Sequence, residues 1–178
     1  MIKSLTVHGD GNGNMKEKSK TNSQSIGEIY ARHADMVYSV SYSYLKNTED
    51  TKDIVSEIFL KLLQKKIKFN DAEHEKAWLL RAAINLCKDY LKHRRRKNEN
   101  IDDYENNLES ADSFEADATY KLVLELPDRY KAVIYLHYYE GYKTEEIGRI
   151  LKKPQSTVLS QLREARKLLK GVIETNEQ

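Results

Sequence analysis

The sequence contains few residues that interrupt regular secondary structure, with 7 glycines and 2 prolines among 178 residues. Leu, Ile, Glu and Lys are frequent instead, so the composition favours long helices over a sheet. Hydrophobic residues make up 39% of the chain and charged residues 33%, which is enough to bury a modest core. We therefore expect an all-α protein with one ordinary domain or two small ones.

The scarcity of cysteine and of long apolar runs indicates the cellular compartment of the protein. Cys87 is the only cysteine, so no disulfide can form within the chain, as suits a reducing environment. No apolar run approaches the roughly 20 residues that cross a bilayer, and the N-terminus lacks the apolar segment of a secretory signal. We expect a cytoplasmic protein without direct membrane insertion.

Catalytic and metal-binding patterns are also missing from the sequence. The five histidines are scattered, and none forms an HExxH motif or a metal-binding array with Cys87. No glycine-rich phosphate loop follows a predicted strand. We expect no enzyme activity, catalytic residue, metal, cofactor or small-molecule substrate. His33 lies on the apolar stripe of the first predicted helix, where a core or boundary histidine is the expectation.

The formal net charge is only +2, but the charges are segregated along the chain. A basic run from Arg94 to Lys97 is followed by a stretch, Glu99 to Asp117, whose only charges are acidic. The C-terminal part is basic again. Such asymmetry indicates surfaces that bind a polyanion, separated by an acidic connector.

Hydrophobic periodicity divides the chain into segments. We expect a disordered extension over 1–24, a helical domain over 25–97, a flexible acidic linker over 98–117, a second helical domain over 118–172 and a C-terminal tail over 173–178. Three helices are predicted in the first domain, starting near Ser25, Asp50 and His74. The predicted buried faces include Tyr30 and Val37 in the first helix and Ile58 and Leu63 in the second. Met15 as the native start, with the preceding residues as translated leader, is a hypothesis that N-terminal sequencing tests.

The third predicted helix has two contrasting faces. Leu80, Ile84, Cys87 and Leu91 form an apolar stripe, and the opposite stripe is polar and basic, with Arg81, Asn85, Lys88 and Lys92. Cations neutralise phosphates and Asn can read a base edge, so this helix is suited to lie along a nucleic acid. A solvated basic helix is the alternative, and Trp78 is more often a core residue than a base-stacking one.

The last two predicted helices have the proportions of a helix-turn-helix. The first runs from Thr144 to Leu151, a short connection follows, and Pro154 is placed to begin the second. The second helix of such a motif enters the major groove by its N-terminal residues. An ordinary helical hairpin is the alternative interpretation of the spacing.

Four segments together resemble extracytoplasmic-function (ECF) RNA polymerase sigma factors. Asp53 to Phe59 is similar to the family's polymerase-binding helix, and Ala77 to Arg81, with Asn85, is similar to its promoter-melting helix. In the second domain the similarity covers Leu126 to Tyr130 with Tyr138 to Ile147, and Ser156 to Arg166. The order and spacing of the segments are more specific than any one of them.

The resemblance implies three surfaces and three partners. The partners are core RNA polymerase, promoter DNA and an anti-sigma factor that masks both domains. The implied polymerase-binding residues are Asp53, Ser56, Glu57, Leu60 and Lys61. The implied −10 DNA-binding residues are Asn70, Trp78, Arg81, Asn85, Lys88 and Lys92. The implied −35 DNA-binding residues are Gln155, Ser156, Thr157, Ser160, Gln161, Arg163 and Arg166.

The chain departs from the family pattern at several of these positions. Ser56 replaces a usual Gln, Lys152 a usual turn Gly, and Lys153 an apolar residue. Thr144 is expected to cap its helix because Lys143 replaces a usual Ser. Leu159, Gln161 and Glu164 stand where basic residues are common, which predicts a weaker or differently directed −35 contact.

Two other functions remain alternatives to a sigma factor. A helix-turn-helix regulator would bind DNA without joining the polymerase. A helical protein–protein adaptor acting through the acidic linker would show no salt-dependent DNA binding.

Overall fold

The computed structural model describes the backbone of residues 14–97 and 118–176, and the side chains of residues 26–97 and 120–170 within them. Every regular element in these ranges is helical. The first group comprises α1 (Asn14–Leu45), α2 (Thr48–Lys65) and α3 (Ala72–Arg96). The second group comprises α4 (Ala118–Glu125), α5 (Asp128–Ile134), a π-helical segment (Tyr135–Tyr139), α6 (Thr144–Leu151) and α7 (Gln155–Asn176). The predicted all-α class and the helix-turn-helix are confirmed, whereas the predicted linker lies outside the described residues.

The N-terminal boundary of α1 differs from the expectation. The helix begins at Asn14 rather than near Ser25, so residues 14–24 of the predicted disordered extension are helical. The apolar period alone could not place this start, because residues 14–24 are mostly polar but include no proline or glycine to end a helix. Residues 1–13 lie outside the described residues.

Side-chain caps explain where α2 and α3 begin. The Asn47 side-chain oxygen accepts a hydrogen bond of 2.9 Å from the backbone N–H of Asp50. Asp71 does the same for the N–H of His74, at 2.7 Å. Each cap satisfies a backbone donor that has no partner within its helix. Both helices therefore start at the residue after the cap.

The core of the first domain follows the predicted apolar faces with two exceptions. Val37, Ile58 and Leu80 are fully buried, as the period indicates. Tyr30 and Leu63, also predicted on those faces, are 50% and 46% exposed. Both lie on the outer edge of the α1–α2 pair, so helical period alone placed them too far inward.

His33 and Arg32 of α1 both contact Glu75, near the start of α3. The Glu75 carboxylate accepts from Arg32 Nη2 at 2.8 Å and lies 2.9 Å from His33 Nε2. Glu75 is buried and the His33 side chain is only 13% exposed. The expectation of a boundary histidine is confirmed, and the contact joins α1 to the start of α3.

The C-terminal half of α1 is buried on all sides. From Val37 to Leu45 only Tyr38 is partly exposed. One side of α1 packs on α2 and α3, and the other packs on α4 and α5 of the second domain. The small side chains of Ser39, Ser41 and Ser43 allow this close approach. The two domains therefore pack directly against each other.

Polar contacts hold the two domains together at both ends of the interface. The Tyr120 hydroxyl donates to the Ser39 carbonyl at 2.7 Å, and both residues are buried. Among the described residues, three ion pairs cross between the domains: Lys46–Glu125 at 3.0 Å, Lys76–Glu140 at 2.9 Å and Arg95–Asp128 at 2.9 Å. Lys76 also lies 5.4 Å from the ring centre of Tyr142. These contacts define the domain interface.

Buried phenols make stability sensitive to alkaline pH. Burial raises the pKa of Tyr44, Tyr120 and Tyr135 above the ordinary value, and raises the pKa of Cys87 to about 12. Above the ordinary pKa the unfolded chain releases these protons and the folded chain does not, so stability is lost as pH rises. Burial lowers the pKa of some lysines, such as Lys131. These lysines make stability increase with pH instead.

A single substitution isolates the contribution of one phenol. We expect the stability of Tyr44→Phe, relative to wild type, to increase by about 1.4 kcal/mol per pH unit above about pH 10, because the variant has lost one proton that only the unfolded state releases. Urea unfolding at several pH values measures the difference. A pH-independent difference would show that Tyr44 ionises equally in both states.

Candidate polymerase-binding and nucleic-acid interfaces

The predicted polymerase-binding residues form one face of α2. Asp53, Ser56, Glu57 and Leu60 are exposed, and Lys61 is half-buried. Glu57 forms an ion pair of 2.6 Å with Lys61. Leu60 is 54% exposed, an unusual exposure for a leucine inside a long helix. The face combines acidic groups with an apolar side chain, as suits a protein-binding surface.

A groove borders this face on the side of α1. It is lined by residues from both helices: Tyr30, Ala34, Asp35, Tyr38, Lys52, Val55 and Ser56. The Tyr30 ring packs edge-on against Phe59 at 4.8 Å between ring centres. Tyr30 therefore extends the apolar part of the α2 face, and sequence periodicity missed it because the residue was assigned to the core.

The predicted −10 residues lie along α3 and in the turn before it. Asn70, Asn85 and Lys92 are exposed, whereas Trp78, Arg81 and Lys88 are half-buried. The Asn70 N–H donates to His74 Nδ1 at 3.4 Å, and Phe69 lies 5.9 Å from Trp78 between ring centres. The aromatic pair anchors the turn on α3, so Trp78 serves both packing and the turn.

Lys88 faces the second domain rather than open solvent. Burial, together with the positive charge of Lys153, lowers the pKa of Lys88. Residues of α6 pack against α3 close to this position. The predicted −10 face is therefore partly covered by the second domain in this arrangement.

Two members of the basic run from Arg94 to Lys97 pair with carboxylates of other helices in this arrangement. Arg94 forms an ion pair of 3.2 Å with Asp50, with both side chains mostly buried. Arg95 reaches Asp128 of the second domain at 2.9 Å. These arginines hold helices together, because their long side chains reach carboxylates that are distant in sequence. A count of charges along one helix could not reveal those partners.

Lys88, Lys92, Arg95 and Arg96 of α3 line a cavity with Asp128 and Arg129 of α5. Among these residues Asp128 is the single carboxylate, and it is engaged by Arg95. The excess of cations favours phosphate over other ligands. This cavity lies beside the predicted −10 face and continues it toward the second domain.

The helix-turn-helix is built as the sequence predicts, with a different cap. Lys143 precedes α6 and its N–H donates to the Glu146 carboxylate at 2.8 Å. Thr144, expected to cap α6, instead accepts from Gln155 Nε2 at 3.0 Å. That bond ties the starts of α6 and α7 together, so the hydroxyl is used between helices.

The turn between α6 and α7 requires two unusual backbone arrangements. Lys152 has φ of +53°, the left-handed region that favours glycine. A Cβ added at Gly148 would lie 2.8 Å from the Lys153 carbonyl oxygen. Gly148 therefore permits the close approach, while Lys152 carries a backbone cost that the usual family Gly would avoid.

We expect Gly148→Ala to destabilise the chain by about 1–3 kcal/mol, because a backbone oxygen must move. Gly27→Ala is the matched control: no atom lies within 4 Å of its added Cβ, so helix propensity should stabilise it by up to about 1 kcal/mol. Lys152→Gly should be stabilising or neutral. Thermal unfolding compares the three, and equal effects of the two alanines would contradict the close approach.

The predicted −35 residues lie along the first turns of α7 and differ in their solvent exposure. Gln155, Ser156, Ser160, Arg163 and Arg166 are exposed, while Thr157 and Gln161 are half-buried. Gln161 accepts from Lys153 Nζ at 3.0 Å, so Lys153 keeps its ammonium near polar atoms, as expected for a long side chain at a boundary.

A groove on α7 is lined by Leu159 and four cationic residues, Arg163, Arg166, Lys167 and Lys170. The groove is cationic despite Glu164, which pairs with Lys167 at 3.1 Å.

Neither a membrane-spanning helix nor a metal-binding cluster is present in residues 14–97 and 118–176. Within them, no helix is long and apolar enough to cross a membrane. No group of three or more His, Cys, Asp or Glu residues in these ranges is arranged to hold a metal ion.

Both domains are similar to known protein families. The family described as Sigma-70 region 2 matches residues 29–97, and Sigma-70, region 4 matches residues 116–169. RNA polymerase sigma factor SigV of Bacillus subtilis (strain 168) is 32% identical, over 88% of this chain and 95% of SigV. ECF RNA polymerase sigma factor SigW of the same organism is 26% identical, over 88% of this chain and 92% of SigW.

Two solved structures share the fold. The structure of CnrH in complex with the cytosolic domain of CnrY is 19% identical with a TM-score of 0.62, over 90% of this chain and 94% of that one. The sigma factor RpoE in complex with the anti-sigma factor NepR from Bartonella quintana is 16% identical with a TM-score of 0.65, over 85% and 98%. Because a region 2 match, a region 4 match and a near full-length relative coincide in one all-helical chain, the chain belongs to the extracytoplasmic-function family of RNA polymerase sigma factors.

Proposed function

We propose that this protein binds core RNA polymerase and directs it to start transcription at specific promoters. The supporting observation is that one chain combines the region 2 and region 4 matches over nearly the full length of SigV. The exposed face of α2 is the proposed polymerase contact. A DNA-binding regulator acting alone has no use for such a face.

The proposed −10 contact is the turn before α3 together with the polar side of α3. Asn70 and Asn85 are exposed polar groups that can read base edges, and Lys92 is an exposed cation for phosphate. Melting a promoter requires unstacking of bases, which costs a few kcal/mol per base. The anchored turn offers a rigid support where those bases can be held.

The proposed −35 contact is the cationic side of α7. Arg163 and Arg166 are exposed and three residues apart, so they lie on one face of the helix. Ser156 and Ser160 lie nearer the helix start, where a recognition helix meets base edges. The expected division is therefore phosphate binding by the arginines and weak base reading by the hydroxyl groups.

Full use of both DNA faces requires the two domains to separate. Lys88 is partly covered by the second domain, and Arg95 is engaged by Asp128. Core polymerase is the proposed agent that holds the domains apart. An anti-sigma factor is the proposed partner that keeps the polymerase-binding face covered, as the solved complex of RpoE with NepR suggests by analogy.

The proposed role needs neither catalysis nor a cofactor from this chain, since the polymerase carries out RNA synthesis. It also places the protein in the cytoplasm, with the polymerase and the promoter. The test is run-off transcription by core polymerase on a random promoter pool, with and without the protein. We expect a discrete set of start sites only when the protein is present. Start sites that are the same without it would contradict the proposal.

The −10 assignment has its own test. We expect Arg81→Ala or Asn85→Ala to reduce open-complex formation about tenfold or more, because a base or phosphate contact is worth roughly 1–3 kcal/mol. Polymerase binding should remain near wild type. Permanganate footprinting measures opening, and gel filtration with core polymerase measures binding. Loss of polymerase binding in these variants would assign the face to the polymerase.

A further inference from the structure

Arg166 of α7 is exposed to solvent, yet its side chain contacts two residues outside α7. Its Nε donates to the Tyr138 hydroxyl oxygen at 2.7 Å, and its Nη2 lies 3.4 Å from His137 Nε2. Both partners belong to the π-helical segment. The guanidinium carbon is 5.7 Å from the Tyr138 ring centre, so the group lies at the hydroxyl end of the ring rather than close against its face.

The neighbours of His137 define its protonation. Its Nδ1 lies 3.0 Å from the Tyr142 carbonyl oxygen, which can only accept, so Nδ1 carries the hydrogen. A guanidinium can only donate, so Nε2 is the acceptor. The ring is held on one side by backbone and presents a lone pair to Arg166 on the other.

The π-helical segment explains why these two side chains reach α7. Glu140 N–H bonds to the Tyr135 carbonyl at 3.3 Å, five residues back, so the segment has a wider turn than an α-helix. Tyr135 and Leu136 are buried, while Tyr138 is 54% exposed. The wider turn thus keeps two side chains in the core and directs the next two toward α7.

The cluster leaves hydrogen-bond donors available for a ligand. A guanidinium has five N–H groups, and these two contacts use two of them. The Tyr138 oxygen accepts from Arg166, which leaves its own O–H free to donate. Arg166 also lines the cationic groove of α7 with Arg163. The donors remaining at this point match the acceptor oxygens of one phosphate.

We propose that Tyr138 and His137 are positioning residues that hold Arg166 for one phosphate of duplex DNA. This inference rests on the proposed function, since the phosphate belongs to the −35 duplex. Holding an exposed arginine in one geometry before binding removes part of the entropy lost on binding. This positioning of Arg166 also allows the chain to retain a −35 contact, although Leu159, Gln161 and Glu164 occupy positions of α7 where basic residues are common.

The test is a double-mutant cycle in holoenzyme, on a promoter duplex selected from a random-sequence pool by the wild-type protein. We expect Arg166→Ala to weaken binding about fivefold and to reduce the slope of log K against log salt by about one. Tyr138→Phe should weaken binding about twofold to threefold. It should have no further effect in the Arg166→Ala background.

Arg163→Ala is the matched control, because it removes a cation from the same groove without touching Tyr138. Its effect should add to that of Tyr138→Phe, while the effect of Arg166→Ala should not. Additivity of Tyr138→Phe with Arg166→Ala would overturn the positioning role. An Arg166→Ala holoenzyme that binds the duplex like wild type would overturn it too, while leaving the proposed function intact.

A second readout does not depend on DNA. In the full chain, the Arg166 Nε–H resonance should be protected from exchange, and Tyr138→Phe should remove this protection. An unchanged resonance would overturn the inference. A chain that never assembles with core polymerase would contradict the proposed function itself, and with it the phosphate role.

Discussion

Asp53→Arg is expected to weaken binding to core RNA polymerase by about 100-fold or more, because it places a cation where the partner must complement a carboxylate. Asp53 is exposed on the same face of α2 as Glu57 and Leu60. No core contact of α2 depends on its side chain, since the buried face of this helix is formed by residues such as Ile54 and Ile58. The fold should therefore survive the change.

The measurement is capture of core polymerase by the tagged full chain, with transcription as a second readout. Glu164→Arg is the matched control, because it makes the same charge change at an exposed position of α7. It should bind polymerase as the wild type does. Wild-type capture by Asp53→Arg would show that this face of α2 is not the polymerase contact. Absence of capture by the wild type itself would favour the alternative of a DNA-binding regulator that does not join the polymerase.

Asp128→Ala should separate the two domains without unfolding either of them. Asp128 accepts from Arg95 of α3 at 2.9 Å and lies 3.6 Å from Lys131 Nζ. Lys131 is 3% exposed and lies 5.8 Å from the ring centre of Tyr44 in α1. Burial already lowers the pKa of Lys131, and Asp128 opposes that effect. Removal of the carboxylate would leave a buried ammonium without its counter-charge.

The expected cost to the packed arrangement is about 2–3 kcal/mol, toward the lower end for a broken buried pair because Asp128 is partly exposed. Separation of the two domains removes this cost, since the Lys131 ammonium is then solvated by water. Dyes on Gln64→Cys and Glu145→Cys report the separation by energy transfer. Cys87 should stay unlabelled, because it is buried and its pKa is raised to about 12.

Two controls make the result interpretable. Asp89→Ala removes an exposed carboxylate of α3 and should leave energy transfer unchanged. Asp128→Ala with Lys131→Met removes the buried charge as well, and should restore the packed arrangement. If Asp128→Ala alone leaves energy transfer at the wild-type value, the Arg95–Asp128–Lys131 cluster does not hold the domains together.

The helices and their buried faces could be predicted because they depend on residues that are close together in the sequence. The α6 bounds, the start of α7 after Pro154, and the buried positions Ile58, Leu80 and Val158 all follow from period and caps. Tyr30 and Leu63 could not be placed, because period identifies a stripe but not how far the neighbouring helix covers it. The predicted polymerase-binding and DNA-binding residues remain predictions that the variants above test.

One signal for the domain interface was present in the sequence. Met36 to Leu45 contains no charged residue over almost three turns, and a helix without a polar face is buried on all sides. The pattern could not say what covers the second side. Tyr120 and Tyr135, the residues that do so, follow about 80 or more positions later in the chain, with hydrogen-bond partners at separations of 81 and 99 residues.

By itself, the sequence determined the helical class, most of the apolar stripes and the family to which the chain belongs. These depend on residues within a few turns of each other, or on motifs in a fixed order. Only the tertiary structure decided which of the charged side chains contact other helices. Arg94, Arg95 and Arg166 look alike as basic side chains on helices, yet two of them join helices and one is held by a tyrosine and a histidine. An ion pair or hydrogen bond depends on distance in space, which charge and period along the chain do not encode.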